Sequence, residues 1–287
     1  MDRLRTAEGR RLAYRRSGAG PTLVCHPGGP GYSSLYFGDL CGLGEQLELV
    51  LLDPRGTGGS DPPSDVRAFA IDDYASDLEE LRAHLGLERM ALFGHSHGGV
   101  VAMAYAARYP DRVERLILAS TAPRFSTEEN AAMEEALAAR AGEPWYEDAR
   151  EALETELRGD FSGSDELMAL AVRMMPLYFA RYGDAERDWV AGVAGERLNA
   201  DATRLWEQQI FAKFDLRPEL ARVTAPTLVV AGELDFITGP FPARELAESL
   251  PNAELAILPG VGHMIFVEAP EAFREAVLSF LGVGVEA

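Results

Sequence analysis

A serine in a glycine-rich run has the setting of a nucleophile. Ser96 lies in the run 94–99, which reads GHSHGG and follows the apolar stretch 90–93 directly. A helical pattern begins just after it. A serine on a sharp turn between a strand and a helix holds its hydroxyl above the sheet, and small neighbours let that turn close. The N-terminus of the following helix also favours negative charge that develops nearby. We therefore predict that Ser96 is the nucleophile of an acyl transfer, although such a run alone is compatible with an ordinary turn.

A serine hydroxyl is a weak nucleophile until a base accepts its proton, so a histidine must come within reach. Among the five histidines of the chain, His263 lies in the loop after the apolar run 255–258 and is predicted to be the base. His84 is expected on a surface helix. His95 and His97 flank the nucleophile, and we expect their side chains to point away from its hydroxyl.

The base in turn needs a carboxylate that fixes its tautomer and stabilises its protonated form. Asp235 follows the apolar run 227–230 and is predicted to fill this role. Glu233, two residues earlier, is the nearest alternative. Side chains alternate along an extended segment, so both carboxylates share one face, and only the outer one extends beyond the sheet. This favours Asp235.

The oxyanion formed when the hydroxyl attacks a carbonyl requires backbone N–H donors. We expect one donor at His97, the residue after the nucleophile. The second is expected at Gly29 or Gly28, in the loop 26–31 that reads HPGGPG and follows the apolar run 23–25. A structural turn would look similar. The histidines lack metal-ligand spacing and the chain has no nucleotide-binding glycine loop, so we expect no metal ion and no cofactor.

Six short apolar runs are predicted as buried strands that position these residues: 23–25, 49–52, 90–93, 116–118, 227–230 and 255–258. Near-continuous apolar runs are typical of a parallel sheet covered on both faces. Helical spacing over 71–85 and 100–108 alternates with them and indicates an α/β fold with a mostly parallel, doubly wound sheet. Strand-like runs are missing from 124–221, which predicts a helical cap inserted in a core formed by 1–123 and 222–287.

Composition narrows the classes of partner. The 287 residues are 47% hydrophobic and 25% charged, as in an ordinary globular protein. The net charge of −19 argues against binding to nucleic acid or to an anionic membrane. The partner that we expect is a substrate, either a small molecule or a short peptide. We find no apolar stretch of the roughly 20 residues that span a bilayer and no signal peptide, so we expect a cytoplasmic protein. Cys25 and Cys41 are expected to be free thiols in the interior.

At these residues the sequence resembles the proline iminopeptidase group of the α/β-hydrolases. The likeness depends on the loop 28–31 (GGPG), the run 53–60 (DPRGTGGS) and the serine turn with Asp235 and His263 downstream. That order along the chain is the one found in α/β-hydrolases. The resemblance covers essentially the whole predicted core. It implies the α/β-hydrolase fold and cleavage of a small N-terminal residue, proline, from peptides through an acyl-enzyme.

The resemblance also implies that acidic side chains hold the free amino group of the substrate. Glu207, which follows Trp206 in the cap, corresponds to one such residue; alternatively, Trp206 belongs to the core and Glu207 to the surface. Some relatives carry a second acidic residue after the catalytic aspartate, where this chain has Phe236. Pro27, Pro54 and the histidines beside the serine also depart from the family pattern. The alternative function is that of a carboxylesterase or C–C bond hydrolase with the same three catalytic residues.

Overall fold

A single sheet of eight strands organises the chain in the computed structural model, which describes residues 1–284 apart from the side chain of Glu129. The strands are β1 (Asp2–Arg5), β2 (Arg11–Ser17), β3 (Thr22–His26), β4 (Glu48–Asp53), β5 (Met90–His95), β6 (Val113–Ala119), β7 (Thr227–Gly232) and β8 (Ala253–Leu258). Their spatial order is β1-β2-β4-β3-β5-β6-β7-β8. The strands β3 to β8 run parallel, while β2 pairs antiparallel with both β1 and β4.

All six predicted strands are present, and the α/β fold is confirmed. The hairpin β1–β2 was not predicted. Its inner face carries Leu4, Leu12 and Tyr14, which are buried, but arginines interrupt the apolar pattern along both strands. This hairpin lengthens the sheet at the edge far from β8.

The helices are α1 (Ile71–His84), α2 (His97–Arg108), α3 (Thr127–Ala138), α4 (Tyr146–Arg158), α5 (Ser164–Met174), α6 (Asp184–Val193), α7 (Ala200–Leu205), α8 (Arg217–Leu220), α9 (Pro240–Ser249), α10 (Ile265–Glu268) and α11 (Pro270–Leu281). Successive residues of one strand, such as Leu23 and Val24, belong to different cores, as the period-2 geometry of a strand requires. The core on one face includes α1, α2 and α9, and the core on the other includes α11 and the segment 36–47. The sheet is therefore covered on both faces, which explains its apolar strands.

The helices α3 to α8 lie between β6 and β7, in the segment where the cap was predicted. A third hydrophobic cluster, from Met133 to Leu198, gives this insertion a core of its own, and Phe236 belongs to that cluster. Its two ends meet where the N–H of Leu216 donates to the carbonyl of Pro123 at 2.9 Å. The part from α7 onwards packs against the core that contains α2, whereas Met175, Phe179 and Val190 pack into the core on the other face of the sheet, so the insertion contacts both cores.

Two further features bear on the sequence expectations. Both cysteines are free thiols; Cys25 is buried, whereas Cys41 is only half-buried. No helix in residues 1–284 is long and apolar enough to cross a membrane.

Candidate active site

Ser96 occupies the turn between β5 and α2, with φ 54° and ψ −121°. A positive φ is strained for a residue with a side chain, and such strain persists only where the surroundings fix it. Here the N–H of Ser96 donates to the carbonyl of Ala119 at 2.9 Å, and its own carbonyl accepts from the Thr121 hydroxyl at 2.8 Å. A Cβ on Gly98 would overlap the carbonyl oxygen of His26. The turn therefore needs glycine at that position.

Asp235 and His263 form a buried hydrogen-bonded pair, with 2.8 Å between Asp235 Oδ2 and His263 Nδ1. The hydroxyl of Thr238 donates to the same Asp235 oxygen at 2.6 Å, and the N–H groups of Ile237 and Thr238 donate to Oδ1 at 3.0 and 3.1 Å. Burial favours the neutral acid, but the neighbouring His263 and these hydrogen bonds outweigh it and hold the pKa of Asp235 at about 2. The carboxylate is therefore ionised, and its hydrogen bond fixes Nδ1 of His263 as a nitrogen that carries a proton.

The loop that carries His263 is anchored on two sides. Its N–H donates to the carbonyl of Tyr178 in the insertion at 2.8 Å. Glu268 accepts from the N–H of Gly262 and from the N–H of Ala180, each at 2.7 Å. The insertion and the base loop are thus held together by backbone groups.

One cavity contains Ser96, His263, Gly29 and His97 in its lining. Most of its remaining wall is apolar and aromatic. The rings come largely from the insertion and the segments beside it: Phe125, Tyr178, Trp189, Trp206, Phe211 and Phe214. This combination of an apolar pocket and a few polar groups is typical of an enzyme site for a small ligand.

The two alternatives for the second oxyanion donor differ in their hydrogen bonds. The N–H of Gly28 donates to the hydroxyl of Tyr36 at 2.6 Å and is therefore occupied. Within residues 1–284 the N–H of Gly29 has no acceptor, and Gly29 lines the cavity. His97 is the first residue of α2, where backbone N–H groups lack partners inside the helix. The geometry thus fits Gly29 and His97 and excludes Gly28, because its donor is already used.

The three other histidines near the serine are buried and neutral. Burial lowers the pKa of His95 and of His97 to about 3, and that of His26 to about 4. His95 hydrogen-bonds to Tyr36, and His97 packs edge-on against Trp206 with ring centroids 4.6 Å apart. His84 is exposed, as expected. The other carboxylate considered, Glu233, is exposed and accepts from the N–H of Gly260.

Both residues predicted to bind substrate line the cavity, and a second carboxylate accompanies them. Trp206 is buried, and Glu207 lies beside it on a single π-helical turn, 206–210. Burial raises the pKa of Glu207 well above its ordinary value, and the nearby Glu156 raises it further. Glu156 lies on α4, and burial raises its pKa to about 8. Its Oε2 is buried without a hydrogen-bond partner in the described part of the chain.

Sequence reasoning missed Glu156, Tyr36 and Thr238. Glu156 had a readable signal, because it continues the apolar face formed by Ala149, Ala152 and Leu153 at helical spacing. An acidic residue on the inner face of a helix is costly to bury, and such a cost points to a ligand. Tyr36 and Thr238 carry no comparable sequence signal.

Comparison with known proteins identifies the family of the chain and proteins similar to it. The family model described as "alpha/beta hydrolase fold" matches residues 21–270. The proline iminopeptidase PfmaB of Pestalotiopsis fici is 29% identical over 281 residues, which cover 95% of this chain and 96% of that protein. The resemblance noted from the sequence is thereby confirmed.

Two other similar proteins are not named as peptidases. The polyketide synthase ThaQ of Burkholderia thailandensis is 34% identical over 284 residues, which cover 95% of this chain but only 12% of that much longer protein. The crystal structure of the enol-lactonase from Burkholderia xenovorans superposes with a TM-score of 0.75 at 25% identity, and covers 98% of this chain and 100% of that one.

Proposed function

The chain belongs to the α/β-hydrolase family, and on this premise we propose that it is a serine hydrolase that removes a small N-terminal residue, proline, from short peptides. In this proposal Ser96 is the nucleophile, His263 the base and Asp235 the residue that orients it. The N–H groups of Gly29 and His97 stabilise the oxyanion. The insertion serves as a cap that closes the substrate pocket.

The reaction proceeds in two halves. His263 Nε2 accepts the hydroxyl proton while Ser96 Oγ attacks the carbonyl carbon, and Asp235 stabilises the resulting imidazolium. The tetrahedral intermediate collapses when His263 returns that proton to the leaving nitrogen, which leaves the acyl group on the serine. Water, deprotonated by the same histidine, then adds to the ester carbonyl, and collapse regenerates the hydroxyl.

The observation that best supports a peptidase is the pair Glu156 and Glu207 in an otherwise apolar cavity. In residues 1–284 no arginine or lysine forms an ion pair with either carboxylate. Two half-buried acids without a counter-ion are unfavourable as carboxylates, and a bound ammonium group offsets that cost. A peptide with a free amino terminus supplies this group next to its first carbonyl. Glu156 thus fills the role of the second acidic residue that is absent at Phe236.

A different observation favours the second candidate, a carboxylesterase or C–C bond hydrolase. The cavity wall is largely aromatic, and Phe236 packs edge-on against Tyr178 at a centroid distance of 5.1 Å. The raised pKa values of the two glutamates favour their neutral acid form when no cation is bound. A neutral apolar ester would then fit the same cavity, in keeping with the relative named as an enol-lactonase.

Three substrates distinguish the candidates: a prolyl-arylamide, its N-acetylated form and a short-chain aryl ester. The peptidase is expected to cleave the free-amine compound and to leave the acetylated one intact. Hydrolysis of the ester with no cleavage of the free arylamide would refute the peptidase and support the esterase. Ser96→Ala is expected to abolish every activity, and retention of any of them would refute the proposed mechanism.

A further inference from the structure

A line of three hydrogen bonds runs along the wall of the candidate site, where Tyr36 and His95 both line the cavity. The N–H of Gly28 donates to the hydroxyl of Tyr36 at 2.6 Å. Tyr36 Oη lies 2.8 Å from His95 Nδ1, and His95 Nε2 lies 3.3 Å from the carbonyl oxygen of His263. Both side chains are buried, since Tyr36 is 6% exposed and His95 2%. The line joins the oxyanion loop to the base loop through the residue that precedes Ser96.

The two backbone ends of this line determine where its protons lie. The backbone carbonyl of His263 can only accept, so neutral His95 carries its single proton on Nε2 and leaves Nδ1 as an acceptor. The hydroxyl of Tyr36 therefore donates to His95 Nδ1, while its oxygen accepts from the N–H of Gly28. Each group has one defined role, and burial keeps both side chains neutral because it lowers the pKa of His95 and raises that of Tyr36.

We propose that Tyr36 and His95 are positioning residues for hydrolysis, which hold the oxyanion loop and the base loop in register with Ser96. This inference rests on the proposed roles of Ser96, His263 and Gly29. Neither side chain exchanges a proton with the substrate. Each acts by fixing the backbone beside a catalytic group: Gly28 directly before the Gly29 donor, and the carbonyl of His263 itself.

The groups around this line of hydrogen bonds are closely packed, which leaves little room for either loop to shift. A Cβ on Gly28 would lie 2.9 Å from Ser96 Cβ, so the oxyanion loop passes close over the nucleophile. The rings of His95 and His263 lie 5.0 Å apart, and Phe266 packs edge-on against His95 at 5.1 Å. Small displacements in such a site are costly, because oxyanion stabilisation depends on donors placed within a few tenths of an ångström. His95, which directly precedes Ser96 and departs from the family pattern, has a specific role in this proposal.

The first test is Tyr36→Phe, assayed on the aryl ester or the arylamide, whichever the wild type hydrolyses. We expect kcat to fall about 10- to 100-fold with KM within about threefold, because a misplaced donor weakens transition-state binding more than substrate binding. Tyr14→Phe is the matched control. It removes the hydroxyl of another buried tyrosine, which lies 3.2 Å from Nε2 of His84 on the far side of the sheet, and we expect no change in kcat.

Two substitutions of His95 each remove one of the two hydrogen bonds that this side chain forms. His95→Asn keeps an acceptor near the position of Nδ1 but loses the donor to His263, whereas His95→Gln keeps a donor near Nε2 but loses the acceptor for Tyr36. We expect each to lower kcat, and we expect Tyr36→Phe to add almost nothing to His95→Gln, since both break the same bond. Full additivity of these two variants would refute a connected line.

A spectroscopic readout does not depend on activity. Nitrogen-15 NMR of the imidazoles is expected to find His95 neutral and protonated on Nε2 between about pH 5 and 9, and to find a mixture of tautomers in Tyr36→Phe. Protonation on Nδ1 in the wild type would overturn the proposal. Loss of activity in Ser96→Ala together with wild-type kcat in Tyr36→Phe would refute the positioning role alone, whereas an active Ser96→Ala refutes the proposed function.

Discussion

The half-buried acid Glu156 makes recognition of an amine depend on pH in a direction that the structure determines. Burial raises its pKa from 4.5 to about 8, so below that pH the empty site holds the neutral acid. Binding of an ammonium group requires the carboxylate and therefore releases a proton. Each pH unit below about 8 costs about 1.4 kcal/mol, or tenfold in affinity.

We expect KM for the prolyl-arylamide to fall about tenfold from pH 6 to 7 and by a smaller factor, at most about fivefold, from pH 7 to 8, where the carboxyl group approaches half ionisation. Above about pH 8 the amino group of the substrate loses its own proton, and KM is expected to rise again. The aryl ester has no amino group, so its KM should stay constant over the same range. The measurement is steady-state kinetics of both substrates from pH 6 to 9.

Glu156→Gln isolates the carboxylate responsible. A hydrogen bond to a charged group contributes about 1.5 to 3 kcal/mol, so at pH 8 we expect KM for the arylamide to rise about 10- to 150-fold. The rise of KM toward low pH should also weaken, while ester hydrolysis continues unchanged. Glu147→Gln, an exposed position on the same helix, is the control. A pH-independent KM in the wild type, or an unchanged KM in Glu156→Gln, would refute the reasoning.

Two further predictions concern the catalytic core. Asp235→Asn is expected to lower kcat by about 10⁴-fold, because an amide no longer fixes the histidine tautomer, whereas Glu233→Gln should leave kcat near wild type. A larger loss of kcat in Glu233→Gln than in Asp235→Asn would show that Glu233, not Asp235, orients the histidine. Gly98→Ala is expected to reduce both activity and melting temperature, because the new methyl group overlaps the carbonyl of His26. Gly192→Ala, at an open helical position, should instead stabilise the fold by about 0.5 to 1 kcal/mol in chemical denaturation, and a lower stability there would contradict the argument.

Much of the core could be predicted because its signals are local. The apolar runs that became β3 to β8 are short and nearly continuous, as strands buried on both faces must be. The turn at Ser96 could also be predicted, since only small residues fit where β5 meets α2. The hairpin β1–β2 could not be predicted because its buried residues are interspersed with arginines.

The sequence alone determined which residues are chemically able to act: Ser96, Asp235 and His263 are of the right types, in the right order, at the ends of predicted strands. Only the tertiary structure decided which groups meet. It committed the N–H of Gly28 to Tyr36 and so left Gly29 as the candidate donor, and it brought Glu156 from α4 beside Glu207. The physical reason is that strand and turn signals arise between near neighbours in the chain, whereas hydrogen-bond partners and buried charges depend on how distant segments pack.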